Sequence, residues 1–112
     1  MNLDFEDKFR TVIMKMEKAG NEYAEAKGQS WQLQELKSSV LANIIQSLPE
    51  MPVSKAEIIA KASKDYREFI QQTSESIKKE LKLKSEYEKW KSSFEALRSL
   101  SSLEKHTMDK IG

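Results

Sequence analysis

From Phe5 to Leu48 the apolar residues Phe5, Phe9, Val12, Met16, Ala19, Tyr23, Ala26, Leu33, Val40 and Ile44 recur mostly at steps of three, four or seven. Such steps return a side chain to one face of an α-helix, and their average of about 3.5 residues is the repeat of a coiled-coil seam. The spacing predicts a helix over about 4–47. Gly20 and Gly28 fall inside it, each costing about 1 kcal/mol relative to alanine, and mark a weak middle. Trp31 and Leu36 lie off the seam, and the apolar face widens from Leu33 to Leu48. This half is therefore expected to pack against more than one neighbour.

The pattern stops at LPEMPVS, residues 48–54, where Pro49 disfavours helix at Leu48 and Pro52 opposes early re-entry. A chain reversal is expected there. Ser54-Lys55-Ala56-Glu57 then reads as a capping box flanked by Val53 and Ile58 at the staple positions. A short helix over about 55–62 follows, with Ser63 placed to cap a fresh start or a bend. Beyond it Tyr66, Phe69, Ile70, Thr73, Ile77, Leu81, Leu83, Tyr87, Trp90, Phe94 and Leu97 continue the helical steps. No proline or glycine interrupts them before Gly112, which predicts a long helix over about 64–110.

Two rods joined by one turn make an all-α antiparallel hairpin, coiled-coil-like, in a single domain spanning 1–112. A hairpin buries one stripe per helix and leaves aromatic surface over. Covering that surface calls for a homo-oligomeric bundle. The scarcity of turn formers, three glycines and two prolines in 112 residues, agrees with few, long elements.

Charge refines this picture locally. The net charge is +1, too small for a general attraction to polyanions. Residues 1–50 hold six bases against eight acids, however, and residues 51–112 hold thirteen against ten. Setting Tyr87 at heptad position a places Trp90 at d, Phe94 at a and Leu97 at d, so these four form a packed seam between helices. The same register stacks Lys84, Lys91, Arg98 and Lys105 in one column at e. Glu88, Glu95 and Asp109 stand four residues beyond the first, second and fourth of them, offering ion pairs worth a few tenths of a kcal/mol. Upstream, Lys78, Lys79, Lys82 and Lys84 surround only Glu80. The candidate nucleic-acid contacts are accordingly Lys78, Lys79, Lys82, Lys84, Lys91 and Arg98, multiplied by avidity in an oligomer.

Other chemistry finds little footing. Cysteine is absent, which removes disulfides and thiolate sites and fits a reducing, cytoplasmic setting. The start MNLDFEDKF lacks the basic and apolar regions of a signal peptide, and no apolar run approaches the roughly 20 residues that span a bilayer. His106, the sole histidine, has only Asp109 at helical spacing, short of the three or four ligands of a zinc site. No glycine-rich phosphate loop is present. The expectation is a non-enzyme with no catalytic residue, metal, cofactor or small-molecule substrate.

The step Tyr87-x-x-Trp90, the run Phe94-Glu95-Ala96-Leu97-Arg98-Ser99 and the step Ala60-x-Ala62-Ser63-x-x-Tyr66 resemble the corresponding parts of small helical proteins of tailed bacteriophages. More distantly, the hairpin plan resembles the oligomeric recombination mediators of phages, which load a recombinase on single-stranded DNA. The resemblance implies an accessory factor for DNA recombination or replication in a bacterial host. Its partners would be single-stranded DNA or a recombination or replication protein. The alternative reading is a protein–protein adaptor or structural coiled coil that binds no nucleic acid.

Overall fold

The computed structural model describes the backbone of residues 3–111 and the side chains of residues 4–108. The described residues are all-α, in three helices: α1 (Leu3–Gln46), α2 (Val53–Ala62) and α3 (Lys64–Ile111). Two compact units divide it, one formed by Met1–Ala24 with Leu81–Gly112 and the other by Glu25–Glu80. Both long helices pass through both units.

In the first unit the start of α1 lies antiparallel to the end of α3. Phe9 meets Phe94 at 5.4 Å between ring centroids, and Tyr23 meets Tyr87 at 6.2 Å with the rings 28° apart. Val12 and Ala19 are buried between them, while Phe5, Met16, Trp90 and Leu97 are half-buried along the same line. Tyr87, Trp90, Phe94 and Leu97 thus form a seam within one chain, made against α1. No second copy is needed to cover that stripe.

The second unit packs the end of α1, all of α2 and the start of α3 around small residues. Ala26, Ser30, Ala56 and Ala60 are buried, with Tyr66 and Thr73 from α3. Side chains of this size let helices approach closely, because the ridges they raise are low. The broad apolar end of α1 adds to this packing: Leu33, Val40, Leu41, Ile44 and Ile45 are half-buried, as is Leu48 just beyond the helix.

The seam is more regular than its apolar members alone indicate. On α1 it runs through residues 5, 9, 12, 16, 19, 23, 26, 30 and 33, with Ser30 filling the seven-residue gap between Ala26 and Leu33. On α3 it runs through 66, 69, 73, 76, 80, 83, 87, 90, 94, 97 and 101. Ser76 and Glu80 thus hold the steps where the apolar spacing sets Ile77 and Leu81; Ile77 stays half-buried beside Ser76, but Leu81 is 53% exposed. Strict alternation of three and four, followed back from Tyr87, passes through Glu80 and leaves Leu81 on the outer face.

The helix ends have local causes. After Gln46 the amides of Ser47 and Leu48 bond back to Ile44 and Ile45, both at 3.1 Å, and the Ser47 hydroxyl donates to the Ile44 carbonyl at 2.6 Å. These tighter bonds use up carbonyls that the ending helix leaves free. The expected capping box at Ser54 does not form. α2 starts at Val53 with Pro52 as its cap and no side-chain capping bond. The Pro52 carbonyl instead accepts the first helical bond from the Ala56 amide at 3.0 Å. Val53 and Ile58, 73% and 71% exposed, make no staple. Ser63 does act as a cap, ending α2 with extended backbone (φ −69°, ψ 153°) while its hydroxyl oxygen accepts from the Tyr66 amide at 3.2 Å. The break between α2 and α3 is this one residue.

Candidate nucleic-acid interface

Helical geometry places Lys84, Lys91 and Arg98 on one line of α3, about 10 Å apart at 1.5 Å per residue. In the first unit they stand with Lys82 beside the Tyr87–Leu97 seam, and all four side chains are exposed. Lys78 and Lys79 belong to the second unit, where Lys78 is exposed and Lys79 lines an open groove with Glu75 and Ser76.

None of these six cations stands in an ion pair among the described residues, whereas Lys64 pairs with Glu68 and Lys89 with Glu86, each at 3.8 Å. The pairs expected of Lys84 with Glu88 and of Lys91 with Glu95 are not made. Each is a contact between two exposed, flexible side chains, in which Coulomb gain and lost rotamer freedom nearly cancel. The side chain of Asp109, the partner expected for Lys105, lies outside the described residues. Three regularly spaced cations are therefore left to water along α3, as a phosphate-tracking face requires.

The aromatics are differently placed. Tyr87 and Phe94 spend their faces on Tyr23 and Phe9 of α1, which removes them as base-stacking platforms. Trp90 sits in a more polar setting. Its indole Nε1 donates to Glu86 Oε1 at 3.0 Å, Lys89 Nζ stands 4.8 Å from the ring centroid, and Lys15 Nζ reaches over from α1 to 4.9 Å. An ammonium over an indole face is drawn to its negative quadrupole. With Met14, Lys18, Ala19 and Glu22, Lys15, Glu86 and Trp90 border an open groove of about 340 Å³. Lys15, Lys18 and Lys89 were not among the candidates taken from the sequence. Only the antiparallel register sets Lys15 opposite Trp90, and nothing local to either residue signals it.

His106 is exposed near the end of α3, and the Asp109 side chain expected beside it is outside the described residues. Among the described residues no three acidic, histidine or cysteine side chains gather as metal ligands. No helix there is long and apolar enough to cross a membrane. No protein-family model, curated protein or solved structure matches the chain.

Proposed function

We propose that the protein is a non-catalytic helical hairpin that binds single-stranded nucleic acid through its phosphates. In this role it assists recombination or replication of the bacteriophage type, and it associates with further copies of itself to multiply weak contacts. The observation that carries this reading is the line of Lys84, Lys91 and Arg98, exposed and without ion pairs on one helix. Lys82, Lys79 and Lys78 extend the supply of cations along α3. Phosphate contact of this kind carries no sequence information, so binding is expected to follow charge and strand length rather than base order.

Fluorescence anisotropy with a labelled single strand at low ionic strength tests it. Binding at micromolar protein is expected, falling at least tenfold when Lys84, Lys91 and Arg98 are all changed to Glu. No binding by the unaltered protein overturns the reading.

A second reading, a protein–protein adaptor, draws on a different observation. Leu100, Leu103 and Met108 are each more than half exposed near the end of α3, and large apolar side chains so placed are suited to an interface. Light scattering on a size-exclusion column addresses self-association for both readings. A monomeric mass at all concentrations removes the oligomer.

A further inference from the structure

We infer that Trp90 and the lysines around it form a nucleotide site, taking a base on the indole face and a phosphate on Lys15 and Lys18. None of Lys84, Lys91 and Arg98 lines its groove, and it goes beyond the phosphate-only contact proposed above. The half-buried indole lines the groove with Ala19 and Met14, an apolar side to it that suits a planar ring. Lys15 and Lys18, a turn apart on α1, line the groove together with Glu22 one turn further on, and Glu86 of α3 adds a second carboxylate.

The three parts answer the three parts of a nucleotide. An aromatic ring stacks on an indole without regard to sequence, because every base has a π-face. Lysine ammoniums take a phosphate as point charges. The carboxylates accept hydrogen bonds only, which suits the exocyclic amino group of cytosine, adenine or guanine. Glu86 is already held in place through Oε1, by the Trp90 N–H at 3.0 Å and by Lys89 Nζ at 3.8 Å, with its side chain lining the groove. A volume of about 340 Å³ is at the small end of ligand sites, of a size for one such group rather than a larger cofactor.

Lys15 and Lys89 now stand over the ring, at 4.9 and 4.8 Å from its centroid, so a base displaces an ammonium from the face it takes. Stacking exceeds a solvent-exposed cation–π contact in strength, and the displaced ammonium, on a flexible four-carbon stem, swings to the phosphate. The cation is thus a placeholder whose departure from the indole creates the phosphate contact.

Trp90 reports on its own site. The chain has two tryptophans, and Trp31 is 62% exposed on α1, so a Trp31→Phe protein leaves Trp90 as the only indole. Titration of this protein with cytidine monophosphate, and with a short deoxycytidine strand, is expected to quench Trp90 emission saturably. Lys15→Ala with Lys18→Ala is expected to weaken the quenching at least tenfold, with helix content by circular dichroism unchanged. Anisotropy of the same labelled strand is read in parallel. Strand binding with Trp90 emission unmoved by either probe overturns this site while leaving the phosphate line intact. Quenching by cytidine monophosphate without strand binding keeps the site and removes the phosphate-line reading. Quenching that ignores the two lysine changes also overturns the inference.

Discussion

Gly20 lies under the ring of Tyr87: a β-carbon added at residue 20 would stand 3.1 Å from Tyr87 Cε1 and 3.3 Å from Cδ1. The ring is pinned from another side by Tyr23, whose own ring stacks on it. A glycine inside a 44-residue helix is therefore a hole that receives a side chain from the facing helix, as knobs enter holes in coiled coils. Gly28 differs. A β-carbon there meets nothing within 4 Å, and neither glycine has the positive φ that would require it.

The two glycines should part company on substitution. Gly28→Ala is expected to stabilise the protein by about 1 kcal/mol, the full helix-propensity gain, raising the melting temperature by several degrees. Gly20→Ala gains the same propensity but pushes on a ring with little room to yield, so it is expected to be neutral or destabilising. Thermal unfolding followed by circular dichroism compares them, and equal stabilisation by both would show that Tyr87 can move aside freely.

Ser63 joins α2 to α3 through its hydroxyl, which accepts from the Tyr66 amide and donates to the Ala60 carbonyl at 2.6 Å. Removing that oxygen leaves an amide of the first turn of α3 without its partner. Ser63→Ala is expected to cost about 1 kcal/mol, and Ser63→Asp to restore most of it, since Asp is as good a cap. Ser54→Ala is the contrast. Ser54 sits exposed inside α2 and caps nothing, so its loss is expected to stay within about 0.5 kcal/mol. Urea unfolding of the three variants gives the ranking.

The long helices and their antiparallel packing in the first unit were legible because most seam positions are apolar and their spacing is local information. Where a polar residue occupies the seam, the signal fails. Ser30 and Glu80 look like surface residues by type, and Leu81 looks like core, yet the register reverses them. The capping box at Ser54 failed for another reason. Pro52 itself stands as the cap, its carbonyl taking the Ala56 amide at 3.0 Å, so the start falls two residues earlier than the serine would set it. The candidate site divides in the same way. The cation line on α3 follows from a seven-residue repeat on one helix, whereas the Trp90 cluster depends on which residue of α1 faces which residue of α3.

Ser30 tests how tightly the second unit is packed. It has no exposed surface, and the Gln34 amide donates to both its hydroxyl, at 3.0 Å, and its carbonyl, at 3.2 Å. Gln34 is itself exposed, so water replaces the hydroxyl when Ser30 becomes Ala. The lost bond and the better helix propensity of alanine then nearly offset, and Ser30→Ala is expected to be close to neutral. Ser30→Leu adds volume where Ala26, Ala56 and Ala60 are also buried in the unit and is expected to cost about 1–3 kcal/mol by overpacking. Denaturant titration that finds Leu tolerated as well as Ala would mean the close packing around Ser30 has slack.

The salt dependence of strand binding counts the phosphates engaged. For single strands each neutralised phosphate contributes about −0.7 to the slope of log affinity against log salt. Lys84, Lys91 and Arg98 acting together thus account for a slope of about −2, and each change to Gln should remove about 0.7 of it, with affinity falling alike for strands of every base composition. Lys64→Gln serves as the control, because Lys64 is occupied by Glu68 at 3.8 Å, and it should leave the slope unchanged. Anisotropy titrations at several salt concentrations yield each slope directly. If the triple substitution leaves the slope where it was, the strand does not follow this line of α3, and the exposed cations serve only to keep the helix surface hydrated.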